Sequence, residues 1–146
     1  MRGDAKSTNE IAAQALRAAG AGQAESLRLG VLRENLSETI LRVARVVDLE
    51  TEMLRLHRPI DLAGYNHQKS HGLLELTRAL RAFGPHPLEP ELLVSLAELR
   101  DKLEKNLAVL DIHLKAVRQV SALISRAIEE DNSDGTYSAS INRMAR

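Results

Sequence analysis

The chain has no cysteine and no tryptophan, and only one phenylalanine and two tyrosines among its 146 residues. Without cysteine there is no disulfide framework, no thiol nucleophile and no thiolate metal ligand. The shortage of aromatics removes the platforms on which single-stranded nucleic acids stack. Runs of β-branched and aromatic residues, the mark of strands, are missing too. Charge of one sign is also lacking: 20 basic and 20 acidic residues give a formal net charge of zero. They are interspersed along the chain, so no basic face stands ready to neutralise a run of phosphates. No nucleic-acid partner is expected. Nor does any uncharged apolar stretch approach the roughly 20 residues that span a bilayer. The opening residues, MRGDAKSTNEIAAQ, are too polar for a secretory signal. The expected setting is cytoplasmic, with no membrane insertion.

What the chain does have is aliphatic: Leu, Ala, Val and Ile supply most of the apolar content. Leucine and alanine lose little conformational freedom in helices, so an aromatic-poor core of this kind is readily built from them. The expected fold is all-α. Residues 1–25 are polar and then rich in alanine and glycine; Ile11, Ala15, Leu16 and Ala19 offer a turn or two of marginal helix and no core. This segment is expected to be a flexible N-terminal arm. From Ser26 onward Leu29, Leu32, Leu36, Ile40, Val43, Val47 and Leu54 recur at three- and four-residue steps, the stripe of an amphipathic helix. Arg33, Glu34, Glu38, Arg42, Arg45, Asp48 and Glu52 form its solvated side. Pro59 is expected to end this helix near Arg58, and Gly30 marks a point where it could break. Asp61 suits the N-cap of a second helix, with a stripe of Leu62, Tyr65, Lys69, Leu73, Leu76, Leu80 and Phe83 that stops at Gly84-Pro85. Pro90 fits the first position of a third helix, beside Glu89 and Glu91 at its positive end. The third stripe is the longest: Leu92, Leu96, Leu99, Leu103, Leu107, Leu110, Leu114, Val117, Ile124 and Ile128. The sequence Asn132-Ser-Asp-Gly135 is expected to terminate it. The division expected is therefore a flexible arm at 1–25, a helical bundle at 26–131 and a flexible C-terminal tail at 132–146. Short connections imply antiparallel neighbours and a three-helix bundle.

Candidate chemistry is sparse. His67 and His71 are four residues apart and share a helix face, the spacing of two ligands on one metal. The residues between them are Gln68, Lys69 and Ser70, which supply no catalytic Glu and add a positive charge where a cation would sit. They read more simply as the polar first turns of the second helix. His113, in DIHLKAV, resembles the phosphoacceptor helix of histidine phosphotransfer domains. Its lysine, however, follows at two residues rather than three, and Ala116 replaces the expected glycine. The glycine cluster AAGAG follows no strand and precedes no lysine, unlike a phosphate-binding loop. No catalytic residue, metal or cofactor is expected, and no enzymatic activity.

Length is more telling. Roughly forty residues of third helix span about 60 Å, whereas the second helix reaches only about 35 Å. The last turns of the third helix, at Val117, Val120, Leu123, Ile124 and Ile128, therefore lack a full set of partners and form a candidate interface. The N-terminal arm or a second copy of the chain, giving a homodimer, would also cover them.

A series of segments now becomes recognisable. They are ETEMLR in the first helix, NHQKSHGLLELTRALR opening the second, LEKNLAVLDIHLKAV in the third, and Gly-Thr-Tyr just beyond it. Together they resemble FlgN-type flagellar export chaperones, most closely the short alphaproteobacterial versions, over roughly residues 30–140. The resemblance implies a cytoplasmic helical protein of flagellum assembly that holds hook-associated (hook–filament junction) proteins before type III secretion and delivers them to the export gate. It implies cargo binding by the C-terminal part of the last helix, at Val117, Val120, Leu123, Ile124 and Ile128. It further implies contact of Tyr137 with the export gate, and structural roles for Asn66, Lys69 and Asn106. Two other classes stay open: a helical dimerisation or scaffold module, and a phosphotransfer-like signalling bundle centred on His113.

Overall fold

The computed structural model describes the backbone of residues 4–144 and the side chains of residues 7–134. The described chain is all-α and consists of three helices: α1 (Asp4–Arg55), α2 (Leu62–Phe83) and α3 (Pro90–Met144). Contacts between helices fix their directions. Arg42 pairs with Glu75 and Glu50 with Lys69, so α1 and α2 run in opposite senses. Arg33 pairs with Glu89 and Asp48 with Lys102, so α1 and α3 run in the same sense. The chain goes up, down and up, with α1 packed on both of the others.

The core forms where the three stripes coincide. Leu36, Ile40, Val43 and Val47 of α1 meet Leu76, Ala79 and Phe83 of α2 and Leu92 and Leu99 of α3. Each fully buried aliphatic side chain contributes about 1.5–3 kcal/mol relative to exposure. The residues assigned above to the solvated side of α1 are all exposed. At the closest approach of α1 and α2, a Cβ added to Gly72 would stand 2.7 Å from Val43 Cγ2. Glycine is what lets the two helices approach this closely.

Local chemistry sets the inner helix ends. Asp61 caps α2 by accepting a hydrogen bond from the Gly64 N–H at 2.9 Å. Gly84 closes α2 at φ 69° and ψ −145°, a conformation that residues with a side chain avoid. Pro90 is the first residue of α3. The end of α1 differs from expectation: the helix stops at Arg55, not near Arg58. The Arg58 N–H donates to the Met53 carbonyl and the His57 N–H to the Leu54 carbonyl, while His57 adopts φ 51°. This is a Schellman closure with histidine in the left-handed position usually held by glycine. Pro59 lies beyond a turn that is already made.

The outer ends differ more. α1 begins at Asp4 and passes through Gly20, Gly22 and Gly30 without a break. α3 continues through the Asn132–Gly135 segment to Met144. Both of the expected boundaries, at residues 25 and 132, therefore fall inside continuous helices. The physical reason is common to both. A glycine inside a helix costs about 1 kcal/mol and Asn, Ser or Asp less, whereas proline costs about 3. The four prolines all lie between residues 59 and 90, so neither outer stretch contains the residue that breaks the backbone ladder. Helicity adds no core there: nearly every described side chain of residues 7–28 is exposed.

Candidate docking surface on the last helix

Because α1 and α3 run in the same sense with their ends out of step, each overhangs the bundle at an opposite end. The base of the α1 overhang is marked by Glu25, 3.5 Å from His86 in the α2–α3 connection. At the other end, α1 stops at Arg55 and α2 starts at Leu62, level with Leu110 and Leu114 of α3. Residues 115–144 of α3 extend past both, about 45 Å of helix.

At 100° per residue, the face of α3 that is core at Leu92, Leu99 and Asn106 continues as Leu110, Val117, Ile124 and Ile128. Leu92 and Leu99 are buried, whereas Val117, Val120, Leu123, Ile124 and Ile128 are 48–62% exposed. The sequence pattern does not change; the covering helices end. Val117, Val120, Ile124 and Ile128 fall within about 80° of one another around the axis, and Leu123 sits on the margin beside Val120. Residues 4–25 lie at the far end of the molecule as part of the unbroken α1, so in this conformation they do not cover the stripe.

Where the stripe leaves the bundle it opens from a groove of about 470 Å³ lined by Glu50, Leu62, Asn66, Lys69, Leu107 and Leu114 among others. Its floor is a polar network joining all three helices. Lys69 Nζ lies 2.5 Å from Glu50 Oε2 and donates to Asn106 Oδ1 at 3.1 Å. Asn106 Nδ2 donates to Glu50 Oε2 at 2.8 Å and to Thr51 Oγ1 at 3.1 Å. The Glu50 side chain is 1% exposed and that of Lys69 12%, so burial here depends on full pairing. No buried side-chain polar atom among the described residues lacks a partner. Lys69 and Asn106 are thus polar sites inside the bundle, and Asn66 lines the groove near the start of α2. The reading of the sequence passed over Glu50. The signal was there: it falls three residues after Val47 and four before Leu54, on the core face of α1.

The other candidates sit apart. His67 and His71 are both exposed; His71 Nδ1 lies 3.6 Å from Glu75 Oε2, and the same carboxylate pairs with Arg42 at 2.6 Å. Among the described residues no group of three or more His, Asp or Glu side chains is placed to hold a metal. His113 is half-buried, and Lys115 is drawn back to Asp111 at 2.7 Å. Position 137 falls within α3, but the side chain of Tyr137 lies outside the described residues. No described helix is long and apolar enough to cross a membrane. No protein-family model, curated protein or solved structure matches this chain.

Proposed function

We propose that this protein is a cytoplasmic export chaperone of the FlgN type, which captures hook-associated flagellar proteins on the overhanging part of α3 and carries them to the type III export gate. One observation carries the reading. A helix face that is core for its first half continues, with the same aliphatic chemistry, past the ends of both helices that cover it. An apolar face of that length in water calls for an occupant, and the series of segments resembling FlgN-type chaperones supports a secreted flagellar protein in that role.

The proposed mechanism is helix-in-groove recognition. A terminal segment of the cargo, disordered when free, lays an apolar helical face along Val117, Val120, Ile124 and Ile128. It takes the place beside α3 that α1 leaves at Arg55. The groove beneath Leu107 and Leu114 receives the end of that segment nearest the bundle. Ordering the cargo on binding lowers net affinity, which suits release at a gate. Tyr137 is assigned the gate contact, beyond the cargo stripe. No step of this cycle needs a catalytic group.

Replacement Ile124→Asp tests the site. The change places a charge at the centre of the stripe, at a residue that is 54% exposed. Capture of a purified hook-associated protein should fall at least tenfold, since burying an unpaired carboxylate costs several kcal/mol, while helicity by circular dichroism stays at the parent value. A collapse of helicity would mean that Ile124 is core, and undiminished capture would place the cargo elsewhere.

A further inference from the structure

His67 and His71 lie about 40° apart around α2 and about 6 Å apart along it, the separation at which two imidazoles reach one ion. Lys69 stands between them in the sequence but not in space. It projects about 160–200° away around the same axis, into the bundle, where its Nζ lies 2.5 Å from Glu50 Oε2. The positive charge that argued against a cation here is therefore neutralised on the far side of the helix.

The side of α2 that carries the histidines borders α1. Both rings line a cavity of about 310 Å³ between the two helices, against Val43, Val46 and Gly72. The close approach of α1 at Gly72 brings Val43, buried, and Val46, half-buried, alongside the imidazoles as an apolar wall. Such a wall limits water on one side of a metal site. His71 Nδ1 lies 3.6 Å from Glu75 Oε2, and Arg42 holds that carboxylate at 2.6 Å. A carboxylate beside one ring nitrogen orients a metal-binding histidine and leaves the other nitrogen as the donor. For His71 that donor is Nε2, which has no partner among the described residues. His67 likewise has no hydrogen bond or ion pair among them. Arg42, which lines the same cavity, is balanced by Glu75, so no net charge opposes a cation. We propose that His67 and His71 chelate one divalent late transition-metal ion, with water completing its coordination. Two imidazoles suit Cu²⁺, Ni²⁺ and Zn²⁺, of which Cu²⁺ binds most tightly, and not the oxygen-seeking Ca²⁺ or Mg²⁺. A pair of donors agrees with the lack of any cluster of three among the described residues. The bound ion would bridge consecutive turns and brace the start of α2. None of these residues belongs to the α3 overhang, so the site stands apart from the export reading.

The test uses the purified full chain and Cu²⁺ in a non-chelating buffer. Titration calorimetry should show one ion bound per chain with micromolar affinity. His67→Asn and His71→Asn, both at exposed positions, should each weaken binding about tenfold or more with helicity unchanged, whereas His113→Asn should not alter it. Glu75→Gln should weaken it about tenfold by releasing the His71 ring. Electron paramagnetic resonance of the Cu²⁺ complex should show two nitrogen donors in the parent and one in either variant at position 67 or 71. Excess Mg²⁺ should not compete. The absence of saturable binding in the micromolar range overturns the proposal, as does binding indifferent to both histidine replacements or displaced by Mg²⁺.

Discussion

At the scale of the residue, Glu50, Lys69 and Asn106 decide the register of the bundle, because each helix contributes one of them and their geometry is satisfied only when all three are level. An aliphatic core of leucines and valines tolerates sliding by a turn; a buried carboxylate does not. Lys69→Met should therefore destabilise the fold by about 3–5 kcal/mol, because it removes the counter-ion of the buried Glu50 and leaves it only the Asn106 hydrogen bond. Chemical denaturation of the variant checks this, and a loss below about 1 kcal/mol would mean that water reaches the site. Part of this network was legible. Lys69 stands on the apolar stripe of the second helix, and Asn106 interrupts that of the third. Glu50 was hidden by its neighbours: between Asp48 and Glu52 it reads as one of several acids on a wet surface, and only its phase against Val47 and Leu54 gives it away. Gly72 was hidden differently, since a glycine inside a leucine-rich pattern does not say which neighbour it admits. The 2.7 Å separation from Val43 of a Cβ built there supplies the answer.

At the scale of the element, helix ends were legible where proline or a capping side chain enforces them and illegible where only propensity speaks. Asp61, Gly84 and Pro90 mark their boundaries because each alters the backbone's hydrogen-bonding options directly. The end of α1 shows a finer mechanism. Pro59 forbids helix immediately before itself, but the chain turns earlier, with His57 at φ 51°. A left-handed conformation costs a residue with a side chain about 1–2 kcal/mol. Part of that is returned when glycine, with its looser unfolded chain, takes the place. His57→Gly should accordingly raise stability by roughly 0.5–1 kcal/mol, seen as a higher midpoint of thermal unfolding. A lower midpoint would show that the imidazole makes compensating contacts. The outer ends of α1 and α3 lay beyond this kind of reading. Glycine makes a helix less favourable by about 1 kcal/mol and serine or asparagine by a few tenths each, well short of proline, which leaves the decision to the uninterrupted backbone ladder.

At the scale of the whole molecule, three helices of about 78, 33 and 82 Å are laid together with the shortest in the middle of the chain. Two long parallel helices joined by a short return must overhang at opposite ends. The mismatch of lengths was readable from the stripes alone, and so was the unpartnered stretch from Val117 to Ile128. The fate of the N-terminal arm was not. Its alanines and glycines gave no sign that the first helix would run on to Asp4 and carry the arm away from the stripe. Under the proposed function the small bundle serves as a handle, and the projecting part of α3 would receive the cargo while the bundle holds α3 in place.

The measurement that bears most directly on this account compares two chains, the full protein and one ending at Arg118, for binding to a purified hook-associated protein by titration calorimetry. The truncation removes Val120, Leu123, Ile124 and Ile128 and leaves the buried core intact, so both chains should unfold with similar midpoints. The account predicts micromolar or tighter binding by the full chain and none by the truncated one. Equal binding by both would move the cargo site into the bundle, and binding by neither would contradict the export function itself.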